Sequence, residues 1–165
     1  MIGEIEKVIA ELNREEVRFL VAGGVAVVLH GYLRTTADLD LVVQLEPDNV
    51  LRALQAIGTL GYQPRAPVST EDFADKSIRE SWVREKNLQV FSLWSEENPR
   101  LEVDLFVREP FDFDAVYDQT AETDLETTTV RVVPRGILIE MKRQAGRPRD
   151  LEDVAALEAL GEPGE

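Results

Sequence analysis

The chain has 165 residues, 44% hydrophobic and 30% charged, with no cysteine and a single histidine. That composition suits one globular domain with a sizeable core, and it excludes a disulfide framework, a thiolate metal site and a multi-histidine zinc cluster. Thirty-two acidic against 18 basic residues leave a formal charge of −14, which disfavours tight nonspecific binding to nucleic acid and favours a small substrate or a basic partner. A local patch such as MKRQAGRPR (141–149) can still present positive charge where it matters.

In chain order, Ile5, Val8, Ile9 and Leu12 fall at helical spacing and predict an acidic, amphipathic first helix. This start reads as a helix and not as a signal peptide, and no apolar run is long enough to span a bilayer, so a cytoplasmic protein is expected. VRFLVAGG (17–24) predicts a buried strand running into a glycine turn, and VAVVLHGY (25–32) a short helix closed by Gly31, with His30 and Tyr32 as packing residues. DLDLVVQ (38–44) is a second strand, and Pro47 opens a helix over 47–62. Residues 63–86 are polar and poorly periodic and are expected to form a loop or irregular insertion. LQVFSLW (88–94) and RLEVDLFV (100–107), joined by the polar turn SEENP, predict a hairpin. TTTVRVVP (127–134) predicts a last strand; helical sequence follows over 135–144, breaks near AGRP and resumes over 150–160, with a frayed tail at 161–165. This order predicts an α+β fold with one mixed sheet and helices mainly on one face. It is read as a single domain over 1–165, with a core over 14–133 and a C-terminal helical segment over 134–160.

Side chains alternate along a strand, so Asp38 and Asp40 share one face while Leu39 and Leu41 enter the core. Two aspartates about 6 to 7 Å apart on a strand repel, and a bridging divalent cation best offsets that cost. In LEVDLF the same alternation sends Leu101, Val103 and Leu105 inward and Glu102 and Asp104 outward, so Asp104 would complete a two-metal site. Gly23 and Gly24, between strand and helix, allow close backbone approach and can cradle phosphate. A second D-x-D, Asp112 and Asp114, follows a proline in an expected loop with no glycine turn before it, and reads as solvated surface. Trp82 and Trp94 read as core residues before base-stacking ones.

Gly23-Gly24, thirteen intervening residues, Asp38-Leu39-Asp40 and the later Asp104 resemble the signature of the DNA-polymerase-β-like nucleotidyltransferase superfamily. The resemblance covers roughly 19–107, with Gly24 where many relatives carry a serine; residues 62–88 match nothing in it. Within the superfamily, the glycine-to-aspartate stretch and MKRQAGRPRDLEDVAAL look most like small bacterial nucleotidyltransferases grouped with abortive-infection toxins and other toxin-antitoxin components. Those carry a Lys followed by Arg-x-x-Asp-x-x-Asp, here Lys142, Arg147, Asp150 and Asp153.

The resemblance implies transfer of a nucleoside monophosphate from a nucleoside triphosphate to a hydroxyl or phosphate acceptor, on RNA, protein or a small molecule. It implies two Mg²⁺ ions, with Mn²⁺ as an alternative, on Asp38, Asp40 and Asp104, and phosphate contacts from Gly23, Gly24, Arg34 and Lys142. Arg147 and Asp150 are expected to pair and fix the last helix. Two competing expectations stand beside this one. A catalytically silent module would act as an antitoxin or other binding partner, and a protein partner or second copy could also complete a shallow acceptor site. A small-molecule nucleotidyltransferase would need a sizeable C-terminal helical domain, for which only about 30 residues remain after Pro134.

Overall fold

The computed structural model describes residues 2–161, and the expectation for the tail lies outside them except at Gly161. Helix α1 (Ile2–Arg14) buries Ile5, Val8, Ile9 and Leu12, the stripe its spacing predicts. Strand β1 (Phe19–Ala22) runs straight into helix α2 (Gly23–Leu29), which His30 ends, its Nε2 2.8 Å from the Val133 carbonyl oxygen. Strand β2 (Asp38–Val43) follows, then helix α3 (Pro47–Thr59), which packs against both α1 and β2.

Residues 63–86 depart from the expected loop: they hold an edge strand β3 (Gln63–Pro64) and two helices, α4 (Thr70–Ala74) and α5 (Lys76–Lys86). Their starting signals are local. Ser69 and Asp72 form a reciprocal cap on α4, and the Asp75 carboxylate accepts from the Ser77 and Ile78 amides to start α5. The apolar content is thin because few side chains do the anchoring: Phe73 and Trp82 both stack on Phe91, with ring centroids 4.9 and 5.6 Å apart.

Strands β4 (Val90–Trp94) and β5 (Glu102–Phe106) form the expected hairpin. The sheet order is β1-β2-β5-β4-β3, with β2 and β5 parallel and every other pair antiparallel. The long crossover between β2 and β5 is what makes that central pair parallel. In register, Leu39 sits beside Val103 and Leu41 beside Leu105, with Phe91 and Leu93 continuing the row on β4; all six are buried. The opposite face carries Asp38 beside Glu102 and Asp40 beside Asp104. The architecture is thus α+β with a mixed five-stranded sheet, one face apolar and covered, the other polar around its centre.

After β5 the chain forms α6 (Phe113–Gln119) and a small ribbon of β6 (Thr123–Asp124) and β7 (Thr129–Val130). The expected last strand over 127–134 is therefore only partly strand. Beyond β7 it meets the main sheet through one parallel bridge, Val132 to Val21, at the β1 edge. Helices α7 (Arg135–Ala145) and α8 (Pro148–Ala159) pack on each other, separated by Gly146 at φ +67°. No helix among the described residues is long and apolar enough to cross a membrane.

Candidate active site

A cleft of about 970 Å³ opens over the polar face of β2 and β5. It brings together every residue that the sequence reading put forward: Gly23, Gly24, Arg34, Asp38, Asp40, Asp104 and Lys142 all line it. The alternation of β2 and β5 explains the carboxylates, since the same pleat that buries Leu39 and Val103 lifts Asp38, Asp40 and Asp104 to the cleft floor. No lysine or arginine pairs with these three aspartates within salt-bridge distance among the described residues.

Burial of like charges without partners raises carboxylate pKa values. Burial, then the neighbouring Asp104 and Asp38 carboxylates, pushes Asp40 up to about 7, against the pull of Lys142 and Arg147. Burial likewise pushes Asp104 up to about 6, helped by Asp38 and Glu102 and resisted by the Ser92 hydroxyl directly across on β4. Asp38, at the cleft mouth, is raised by burial and by Glu102 and held down by Arg149 and Arg147.

Gly23 and Gly24 each meet a particular neighbour. A Cβ at Gly23 would lie 1.9 Å from Asp40 Oδ2, and Gly23 has φ +61°, so a side chain there is excluded twice. At Gly24 a Cβ would lie 2.7 Å from Arg34 Nη2 and 2.8 Å from Thr36 Oγ1. The glycine pair thus lets β1 turn into α2 while lying directly against the β2 carboxylate.

Arg34 and Lys142 reach the cleft as partners of a buried carboxylate. Asp153, 1% exposed, lies 2.8 Å from Lys142 Nζ and 2.8 Å from Arg34 Nε, and accepts from Arg34 Nη2 at 2.9 Å. Asp150 accepts from the Arg147 backbone amide at 3.2 Å and from Arg147 Nε at 2.7 Å, the expected pair that starts α8, and from Lys142 at 3.4 Å. Three cations against two carboxylates leave this cluster one positive charge. Arg149, which donates to the Thr35 carbonyl, adds another at the mouth.

The sequence reading took Arg147 only as a helix-fixing residue and did not single out Arg149 or Arg108 of this wall. Pro148 at the first turn of α8 is the signal that was available, because it sets Arg147 and Arg149 on either side of a helix start. The tryptophans stay out of the cleft lining: Trp82 is core, and Trp94 carries Arg65 over its ring at 5.7 Å.

The carboxylates suit a hard divalent cation. Asp104 Oδ1 is buried with no hydrogen-bond partner, an oxygen lone pair left for a ligand. Among the described residues no three acidic or histidine side chains converge into a ready-made cage. Mg²⁺ binds through one or two carboxylates together with water and substrate phosphate, so paired aspartates with an open side fit it.

No protein-family model matches the chain, and no curated protein does. Solved structures do. The lincomycin-bound lincosamide antibiotic adenylyltransferase LnuA is 15% identical, with 98% of each chain covered and a TM-score of 0.66. ANT(2'')-Ia in complex with adenylyl-2''-tobramycin is 14% identical over 97% of this chain and 89% of its own, TM-score 0.62. An antigenic nucleotidyltransferase-like protein from Paracoccidioides brasiliensis is 17% identical over 96% of this chain and 75% of its own, TM-score 0.52. The sheet that lifts paired aspartates beside a glycine turn is therefore part of a nucleotidyltransferase-like fold that spans the chain.

Proposed function

We propose that the protein is a metal-dependent nucleotidyltransferase that moves a nucleoside monophosphate from a nucleoside triphosphate to an acceptor hydroxyl, releasing pyrophosphate. The observation that carries the reading is the register of β2 and β5, which sets Asp40 beside Asp104 on a cleft floor, unpaired and with raised pKa values. Asp38, Asp40 and Asp104 would hold two divalent cations, Mg²⁺ in the first instance. Bound there, the cations supply charge neutralisation at the attacking and leaving oxygens. Asp104, more open than Asp40 and with one buried carboxylate oxygen free of hydrogen bonds, would take the acceptor's proton. Gly23 and Gly24 let the triphosphate approach the backbone, and Arg147 and Arg149, with the residual charge of the Arg34–Lys142–Asp153 cluster, attract its phosphates.

A small hydroxyl-bearing molecule is the acceptor class this cleft favours. LnuA, a lincosamide antibiotic adenylyltransferase matched over 98% of its chain, supports a small-molecule acceptor on a chain of this size. That acceptor would be met in the cytoplasm, as a metabolite or an antibiotic, and a toxin-antitoxin role rests on sequence resemblance alone. Titration of the protein with Mg²⁺ and each nucleoside triphosphate tests the reading: binding of at least one triphosphate should require the metal and vanish in Asp40→Asn. Metal-independent binding, or none, would leave the silent module in its place. Labelled triphosphate with pooled hydroxylated small molecules, and separately with RNA, then identifies the acceptor.

A further inference from the structure

A second pocket, of about 530 Å³, lies beyond the C-terminal ends of the two parallel strands, between the α5 helix and the segments that follow β2 and β5. Its wall carries Lys76, Arg79, Arg84 and Arg108 against Glu80 and Glu109, an excess of two positive charges on a protein whose total is −14. Arg79 stands out among them. It is only 4% exposed, yet no carboxylate lies within salt-bridge reach of it among the described residues.

Its Nη1 donates to the Phe73 carbonyl at 2.6 Å and its guanidinium stands 5.7 Å from the Phe73 ring centroid. Its Nε and Nη2 meet no acceptor among the described residues and, unlike Arg34 Nε and Arg52 Nε, are not closed off from solvent. Both glutamates are engaged elsewhere: Glu109 Oε1 accepts from the Leu45 amide at 2.9 Å, and Glu80 faces Lys76 at 3.9 Å. Burial lowers the Arg79 pKa more than distant Asp75, Glu80 and Glu109 raise it.

A buried guanidinium without a counter-charge is destabilising, and folds retain one where something else supplies the anion. The planar fork of arginine matches an oxyanion through two parallel N–H bonds, and Nε with Nη2 is one edge of that fork. A phosphate group carries about −1.5 to −2 charges at neutral pH, which balances the excess of two on the wall. The volume holds more than the bare ion.

We propose that this pocket is an anion site, adjacent to but distinct from the carboxylate cleft, in which Arg79 receives the phosphate of a phosphorylated small molecule. Lys76 and Arg84, whose side chains are 80% and 71% exposed, draw the anion in at the rim. Arg108 lines both this pocket and the cleft, so it lies where occupancy of one can be felt in the other.

The test is calorimetric titration of the metal-free protein with inorganic phosphate, and with acetate at matched ionic strength. Phosphate should bind saturably and at least tenfold more tightly than acetate. Arg79→Gln should weaken phosphate at least tenfold, and the exposed pair Lys76→Ala with Arg84→Ala about threefold or more. Arg147→Ala with Arg149→Ala, in the other cleft, should change it less than twofold. Absence of saturable phosphate binding overturns the proposal, and so does acetate binding as tight as phosphate. The assignment also fails if the Arg147 and Arg149 double variant abolishes binding while the Lys76 and Arg84 double variant leaves it intact, since the anion then sits over the carboxylates. Should Arg79→Gln not fold, the Lys76 and Arg84 double variant, confined to exposed side chains, decides alone.

Discussion

Asp38-Leu39-Asp40 and Asp112-Phe113-Asp114 have the same spelling, two aspartates around a buried apolar residue, and opposite surroundings. Asp112 caps α6 by accepting from the Ala115 amide, and Asp114 accepts from Gln44 at 2.7 Å and lies 3.3 Å from Arg18. Each charge there has a partner, and Asp114 is 62% exposed. On β2 the same spacing lies on a strand, so both carboxylates share one face, Asp104 of β5 stands beside Asp40, and no lysine or arginine among the described residues forms a salt bridge with them. A third pair, Asp150 and Asp153, is buried more deeply than either but is fully paired with Arg34, Lys142 and Arg147. Burial alone thus does not mark a site; burial without a counter-charge does, because its cost persists only where a ligand offsets it.

That contrast can be broken most forcefully at Asp40. Asp40→Asn should lower transfer at least a thousandfold, about 4 kcal/mol, while the metal-free protein folds as well as the parent or better. Labelled-triphosphate turnover and urea unfolding measure the two effects, and a marked loss of stability would make Asp40 structural. The paired carboxylate should behave in the opposite way. Asp153→Asn leaves Arg34 and Lys142 with an uncompensated buried charge, and should cost about 3 kcal/mol of stability by denaturant unfolding.

Gly23→Ala tests how tightly the turn is held against the unpaired aspartate. Its Cβ would meet Asp40 Oδ2 at 1.9 Å in a backbone of φ +61°, so a loss of about 2 kcal/mol is expected in the same assay. A sharper effect is the pH dependence of that aspartate. Asp40 has a folded pKa of about 7 against 3.8 for the free group, so the native state binds the extra proton between those values. Its contribution to stability is present below about pH 4 and is lost as pH rises through 7. The stability gained by Asp40→Asn in metal-free protein should therefore be near zero at pH 4 and grow to a few kcal/mol, at most about 4, by pH 8, read from paired melting curves. Asp112→Asn with Asp114→Asn is the contrasting variant. Because asparagine also caps helices, that double variant should lose at most about 0.5 kcal/mol and keep turnover within about threefold.

Much of the carboxylate floor was legible because it rests on local rules. Alternation along DLDLVV and LEVDLF fixes which residues face together, and a glycine pair between a strand and a helix marks the turn. The helices of 63–86 were missed for a physical reason: α5 buries chiefly Trp82 and Arg79, so its apolar stripe is too sparse for a periodicity argument, and its contact with Phe91 is long-range. The hydrogen-bonding aspartates that cap α4 and α5 were the better signal there. Chain length likewise does not by itself settle the acceptor class, since the lincosamide adenylyltransferase LnuA is matched over 98% of its chain.

The sequence by itself determined the strand faces, the α1 and α3 stripes, the β4–β5 hairpin and the candidate aspartates, because each follows from side-chain period, glycine freedom or turn chemistry within a dozen residues. Only the tertiary structure decided that Asp104 stands beside Asp40, since parallel pairing of β2 with β5 depends on a crossover of nearly sixty residues. It likewise decided that Arg34 and Lys142 share Asp153 across more than a hundred positions of chain, and that Arg79 lies buried without a counter-charge. Charge pairing in a folded protein is set by which surfaces meet, and nothing in the order of residues along the chain encodes that directly.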